Sequence, residues 1–391
     1  MENPSYNKSG KRMRRGVSAA TGDRALERSL FGASLISTVL VALIFLFVIR
    51  EAGPALLGEL RSSNLIKALP PEQAARLEPE ALRTYLGLSP DEFAAMPPAT
   101  IQYLIEARAE QAGAKPDTPD AAVNTASWRN ILMPRQWADS NRAEYRWEPV
   151  SSVPKYNIVP LLIGSLKITA IAILFAAPLA ICAAVHVSQI AQRWTREWLK
   201  PSVELLAGVP SVVMGFFALV IMATFLQAVF GFPVRLNSFV AGIALGLAII
   251  PLIFSVAEDA LSSVPESYAL GALALGASRW QTAWRIVLPA ALPGVYAAIV
   301  LGFGRAIGET MIVYMASGNS PVMSWDIFDS ARTVTATIAE ELRSSTGSAR
   351  YPILFLLGAM LFCVTFITNF IGALVVERLK RRFETGAERF A

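Results

Sequence analysis

Hydrophobic and polar positions fall into long blocks along this chain. Six blocks are predominantly apolar, and each is long enough for an α-helix to cross the roughly 30 Å hydrocarbon core of a bilayer. They cover Leu30–Ile49, Ile158–Val187, Leu205–Phe230, Ser238–Ala257, Leu292–Ala316 and Tyr351–Val376. The pattern predicts an all-α polytopic membrane protein with six transmembrane helices.

The polar blocks between these segments divide the chain further. We predict a tail over residues 1–29, an extramembrane insert over 50–157, a membrane core over 158–376 and a second tail over 377–391. Prolines punctuate the insert, and short helical patterns at 77–86 and 99–111 fit between them. The insert is therefore expected to be a small helical subdomain, with residues 112–127 as a linker.

Composition agrees with a membrane protein. Hydrophobic residues make up 54% of the chain and charged residues 17%, against about 25% in soluble proteins. The net charge of +5 gathers in basic flanks at residues 8–28, 192–200 and 378–382, so it gives no reason to expect nucleic-acid binding. Because such flanks favour the cytoplasmic side, both termini are predicted to be cytoplasmic and the insert extracytoplasmic. Cys182, Cys363 and His186 show neither a disulfide framework nor a metal-ligand spacing.

Two charged residues interrupt the fifth apolar block. Arg305 and Glu309 are four residues apart, a spacing that places both side chains on one face of a helix, close enough to pair. A charge near the bilayer centre costs roughly 2.5–3.5 kcal/mol on insertion scales, so such residues usually face a polar path. The couple is therefore either a structural pair that joins helices or part of a substrate or ion pathway.

A longer amphipathic segment, residues 258–291, follows the fourth block. Its two helical patterns flank Gly276, a residue that readily turns the chain. After that turn the segment mixes charged side chains with large rings, at Arg279, Trp280, Trp284 and Arg285. The residues alone fit a docking surface and an amphipathic helix at the lipid headgroups equally well.

Several motifs resemble known transport proteins. Gly276, followed thirteen residues later by Pro289, resembles the EAA loop of ABC importer permeases. The match is closest to permeases of the phosphate-specific (Pst) importers, and GETMIVYMASGN followed by TVTATIAEEL favours the PstC-like branch. It covers about 147–382 and the first helix. The other matching segments are ELLAGVPSVVMGFF, LALGASR, RIVLPAALPG, GRAIGET and IVPLLIGSLKITAIAILFAAP.

The resemblance implies the type I ABC importer permease fold and ATP-driven phosphate import across a bacterial inner membrane. Its implied partners are a second, PstA-like permease, two ATP-binding subunits and an extracytoplasmic phosphate-binding protein. The chain shows no G-x-x-x-x-G-K-[ST] run, so ATP is expected to bind the partner subunits, and the chain itself is predicted to be neither an enzyme nor a cofactor carrier.

The resemblance and the chemistry of the residues together point to two sets of candidates. The expected ATPase-coupling residues are Glu266, Gly276, Arg279, Trp280, Trp284 and Pro289. The expected pathway residues are Arg305, Glu309, Thr310 and Thr335, with Thr337 as a weaker candidate. Arginine suits phosphate because its planar guanidinium donates two parallel hydrogen bonds and stays charged.

Two features depart from the family pattern. Leu270-Gly271-Ala272 replaces the Glu-Ala-Ala triplet, so Glu266, one turn earlier, is the candidate substitute for its charge. The insert at 50–157 is also much longer than the usual external loop. Three rival functions stay open: a permease for molybdate, sulfate or phosphonate, a secondary transporter, and a membrane sensor or scaffold.

Overall fold

The computed structural model describes residues 9–57, 78–86, 88, 90–113, 127–137, 140–151, 154–345 and 350–388. Residues 114–126, most of the predicted linker, lie outside this set. The membrane core contains α6 (Val159–Val185), α7 (Arg193–Ala207), α8 (Ser211–Phe217), α9 (Ala223–Phe230), α10 (Ser238–Ser262), α11 (Glu266–Ala274), α12 (Arg279–Thr282), α13 (Leu288–Ile307), α14 (Met311–Ala316), α15 (Val334–Ser345) and α16 (Arg350–Glu388). It is preceded by α1 (Ser9–Leu56), α2 (Pro79–Leu86), α3 (Pro90–Ala95), α4 (Pro98–Gly113) and α5 (Trp128–Leu132).

Six helical stretches of the described chain are long and apolar enough to cross a membrane, as predicted. Their bounds differ from the predicted ones in several places. The first stretch, Ser34–Leu56, reaches into the predicted insert, and the fourth continues to Ser262. The third begins at Ser211 because Pro210 is extended (φ −58°, ψ 137°) and interrupts the helix before it. Residues 193–207, predicted to be a basic loop and the start of that span, form the separate helix α7.

Small residues hold the centre of the bundle together. Gly242 and Gly246 of α10 lie against Ile171 and Phe175 of α6, where a Cβ would come within 2.5–2.7 Å of the neighbouring side chains. Gly302 of α13 packs in the same way on Ile253 of α10. Close backbone approach at such positions is typical of membrane helices. The helices α6, α10 and α13 thus form one tightly packed unit, of which the fifth span is a part.

The insert is only partly helical. Helices α2 and α4 lie close to the predicted patterns at 77–86 and 99–111, and they share a small apolar cluster around Ile105. Two short antiparallel pairs then follow: β1 (Arg135–Gln136) with β2 (Ala143–Glu144), and β3 (Trp147–Glu148) with β4 (Lys155–Tyr156). The sequence does not reveal these strands because each is only two residues long and depends on distant contacts. One of these is the hydrogen bond from buried Trp147 Nε1 to Glu341 Oε1 of α15, at 2.9 Å.

Glu341 gives this hairpin region a pH dependence. Burial raises the pKa of its carboxyl above the ordinary 4.5, in spite of the opposing Trp147 hydrogen bond and the charge of Arg332. The folded state therefore carries a cost for ionising Glu341, which is absent below about pH 4.5 and grows as the pH rises through the raised pKa. We expect Glu341→Gln to raise the melting temperature by about 2–4 °C at pH 8, and the gain to vanish near pH 4. Glu340→Gln, at a more exposed carboxyl, is the matched control, and a pH-independent shift in E341Q would contradict the assignment.

Candidate functional site

The fifth span breaks at residues 308–310. Helix α13 ends at Ile307, and α14 begins only at Met311. The predicted continuous helix over Leu292–Ala316 is therefore wrong. Gly308 favours the break because glycine has a low helix propensity, and a contact from the distant helix α15 holds it, since Thr335 Oγ1 donates to the Glu309 carbonyl oxygen at 2.9 Å.

The break separates the two charges of the couple. No ion pair or hydrogen bond joins Arg305 to Glu309 in the described chain, so the predicted pairing on one helix face is wrong. The Glu309 carboxylate instead accepts the backbone N–H of Thr310 at 3.2 Å. A helical spacing in the sequence does not produce a helical pair when the helix ends between the two residues.

The start of α15 lies against this break. Thr335 is buried and bonds Glu309, and its Oγ1 is 3.2 Å from Thr333 Oγ1. The backbone N–H of Val334 donates to Ser165 Oγ of α6 at 3.0 Å. The structure therefore brings Glu309, Thr310 and Thr335 together. Thr337, the weaker candidate, donates within its own helix to the Thr333 carbonyl at 2.8 Å, so its hydroxyl hydrogen is already used.

Arg305 is exposed near the middle of the bundle. Gly302, less than one turn earlier on α13, packs against Ile253 and Ile173, which both lie near the centres of membrane-length helices. Within the described residues the Arg305 side chain has no hydrogen-bond or ion-pair partner. A solitary guanidinium at this depth is costly against lipid, so it needs water, an anion or another protein beside it.

The segment predicted to dock a partner forms a helical hairpin. Helices α11 and α12 flank Gly276 as the sequence predicts, and Gly276 has a φ of +87°, a conformation that favours glycine. Ser278 begins α12 with a capping box, in which its Oγ accepts from Gln281 N and the Gln281 side chain accepts from Ser278 N. A π-helical turn over residues 283–287 then leads into α13, where Pro289 occupies the first turn.

This hairpin presents an unusually apolar surface. None of the α11 residues is buried. We call the following residues the loop surface: Tyr268, Leu270, Leu273, Leu275 and Trp280, with exposed fractions of 40–92%. Several large, exposed apolar side chains on one short hairpin are typical of a surface that another protein or a membrane covers.

The predicted coupling residues have different places on this hairpin. Glu266 is exposed at the first turn of α11, and Arg279 is exposed at the start of α12. Trp280 and Trp284 lie with ring centroids 5.4 Å apart, Trp280 exposed and Trp284 half-buried. Pro289 is half-buried in the first turn of α13, where the chain passes from the hairpin into the bundle.

One charged cluster escapes the sequence analysis. Glu258, assigned to the start of a loop, lies in α10 and is fully buried. Its two carboxylate oxygens each accept from a cation of α7, Arg196 Nη2 and Lys200 Nζ, both at 2.6 Å. The hydrogen bond to Glu258 raises the pKa of Lys200. The sequence does contain a pattern that could have indicated this cluster. Glu258 is an acid near the end of an apolar block, and Arg196 and Lys200 are two cations four residues apart in the preceding basic segment.

Comparisons with known proteins show which family the chain resembles. Residues 176–381 match the family described as binding-protein-dependent transport system inner membrane component. The probable ABC transporter permease protein YqgH of Bacillus subtilis is 40% identical over 223 residues, which cover 56% of this chain and 72% of that protein. The phosphate transport system permease protein PstC of Xylella fastidiosa (strain 9a5c) is 32% identical over 255 residues, covering 60% and 78%. Among solved structures, the inward-facing MetNI methionine ABC transporter aligns with a TM-score of 0.45 at 18% identity, over 55% of this chain and 93% of that one.

Proposed function

Because this chain belongs to the family of inner membrane components of binding-protein-dependent transport systems, as a PstC-like ABC permease, we propose that it is the transmembrane subunit of an ATP-driven phosphate importer. It is a multi-pass membrane protein, and its relatives are permeases. In this proposal both termini and the loop surface lie in the cytoplasm, and the hairpins of the insert lie outside. The names of the PstC relatives support phosphate as the substrate.

The exposed, unpartnered Arg305 is the observation that carries the proposal. A guanidinium near the middle of the bundle, free of any described carboxylate, is available to an oxyanion. Its fork of donors matches two phosphate oxygens. The family places a second permease beside this one, and Arg305 would then face the path between the two subunits.

The contacts of the other predicted pathway residues lead us to propose different roles for them. Glu309 does not neutralise Arg305 directly, but its carboxylate lies just beyond the end of α13 and limits how tightly the path holds an anion. Thr310 is half-buried at the break and is the remaining hydroxyl donor. Thr335 holds the Glu309 backbone in place, so we assign it a positioning role.

The loop surface is the proposed contact with an ATP-binding subunit. Leu270, which replaces the family's glutamate, is 57% exposed, so the contact relies on apolar burial at this position. Glu266 and Arg279 add charge at the edge of the same surface. The complete importer would contain a PstA-like permease, two ATP-binding subunits and a phosphate-binding protein.

The test is uptake by the whole complex in proteoliposomes that contain its binding protein. We expect ATP-dependent accumulation of labelled phosphate that excess sulfate, molybdate or phosphonate leaves largely unchanged. Uptake that follows one of these other oxyanions would assign a different substrate to the same architecture. Uptake that needs a proton gradient and ignores ATP would identify a secondary transporter and overturn the proposal.

A further inference from the structure

A buried carboxylate joins two helices beside the proposed ATPase contact. Glu258 exposes 1% of its side chain, and its partners Arg196 and Lys200 expose 44% and 31%. Ser262, one turn further along α10, donates to Glu258 Oε1 at 2.9 Å and accepts from Arg196 Nη2 at 3.2 Å. A buried charge is costly unless it is fully paired, and apolar residues often give the same stability. The arrangement therefore indicates a need for one defined geometry between α7 and α10.

The cluster lies between two parts of the proposed transport machinery. On one side, Glu258 lies in the last turns of α10, shortly before α11, which carries most of the loop surface. On the other side, α7 leads through the break at Pro210 into α8. There a Cβ at Gly215 would meet the Met311 carbonyl oxygen of α14 at 3.1 Å. The contacts thus connect the loop surface through α10, α7 and α8 to the helix that follows the break.

Helix α7 also has a second attachment. Trp194, Trp198 and Leu205 are spaced to share its opposite face and are 65–76% exposed. Amphipathic rings at the end of a membrane bundle lie at the headgroup level. With these side chains at the headgroups, the bilayer would hold one face of the helix while Glu258 holds the other.

We propose that Glu258, through its ion pairs with Arg196 and Lys200, is a positioning residue that makes α7 and α8 move with α10 and α11 when the ATP-binding subunits close. This inference rests on the proposed function. Without these contacts, the loop surface and α10 still move when ATP is hydrolysed, but α7 and α8 no longer follow them. The loss then appears in the coupling between ATP hydrolysis and transport, with assembly preserved.

The experiment compares phosphate imported per ATP hydrolysed by wild-type and variant complexes in proteoliposomes. For Glu258→Gln we expect the ratio to fall by about fivefold or more, the range typical of coupling free energies, with the ATP-binding subunit retained in pull-downs. Lys200→Ala, which leaves Arg196 on the carboxylate, should lower the ratio less, and Lys200→Arg should keep it. Asp259→Asn is the matched control. Asp259 is 70% exposed and pairs with Lys200 at 3.4 Å, so this surface ion pair is expected to contribute little.

The outcomes are distinguishable. An unchanged ratio in E258Q and K200A overturns the inference, and so does loss of assembly in both, which would give the cluster a purely structural role. A wild-type complex without ATP-driven phosphate uptake instead defeats the proposed function itself. A lowered ratio in E258Q with assembly retained and a normal D259N supports the inference.

Discussion

Arg305→Ala is expected to lower phosphate uptake by the assembled importer by one to two orders of magnitude, while the subunit still inserts and binds its partners. The exposed guanidinium makes no hydrogen bond or ion pair within the described residues, so we expect its removal to cost little stability. Charge-assisted hydrogen bonds to an oxyanion are worth roughly 1.5–3 kcal/mol, which corresponds to a loss of about 10- to 150-fold in uptake. The measurement is initial uptake of labelled phosphate, with complex yield from a pull-down beside it.

Two further variants make this result specific. Arg305→Lys keeps the charge but loses the planar fork, so we expect partial uptake with a raised KM. Arg343→Ala removes an exposed arginine from α15, outside the six spans, and should leave uptake unchanged. Normal uptake in R305A would remove the residue from the pathway. Failed assembly in both R305A and R305K would instead support a structural pairing with a partner subunit.

Gly276→Val is expected to release the ATP-binding subunit from the complex. Nothing lies within 4 Å of a Cβ at this position, so valine meets no steric obstacle from other residues. Its effect comes from the backbone, because a β-branched residue resists a φ of +87° by about 1–2 kcal/mol. The turn between α11 and α12 then opens, and the loop surface loses its shape. Co-purification of the ATP-binding subunit measures the result.

Gly276→Asn is the matched control for this variant. Asparagine adopts positive φ more readily than other side-chain-bearing residues, so we expect most of the ATP-binding subunit to be retained. Leu275→Asp tests the surface directly, since Leu275 is 92% exposed and a charge there opposes apolar burial. Full binding in both G276V and L275D would show that the partner docks elsewhere.

The six spans and the helical hairpin around Gly276 follow from the sequence because long apolar runs and a glycine turn are local signals. The ends of the spans follow less well. Hydropathy averages over many residues, so it extended the third span back to Leu205 across Gly208 and Pro210. It also could not register the end of α13, since the break contains only three residues between two apolar helices.

The candidate site was predictable in its members but not in its contacts. Arg305 and Glu309 are conspicuous because charges are rare in apolar segments. Their separation depends on a hydrogen bond from Thr335, 26 residues further along the chain, and no local pattern encodes it. Glu258 was missed for the same reason, since its partners Arg196 and Lys200 lie about 60 residues earlier. Hydrogen bonds and ion pairs between distant residues therefore determine those contacts of the site that composition and residue spacing do not predict.

Helix α13 has a mechanical consequence. It runs unbroken for 20 residues, from the π-helical turn behind the loop surface to the break beyond Arg305. At about 1.5 Å per residue it is a rigid lever roughly 30 Å long, so a tilt of about 10° at its loop end displaces its far end by about 5 Å. That displacement is comparable to the width of an oxyanion. A small rotation under the ATP-binding subunit is thus enough to open or close a passage of this size.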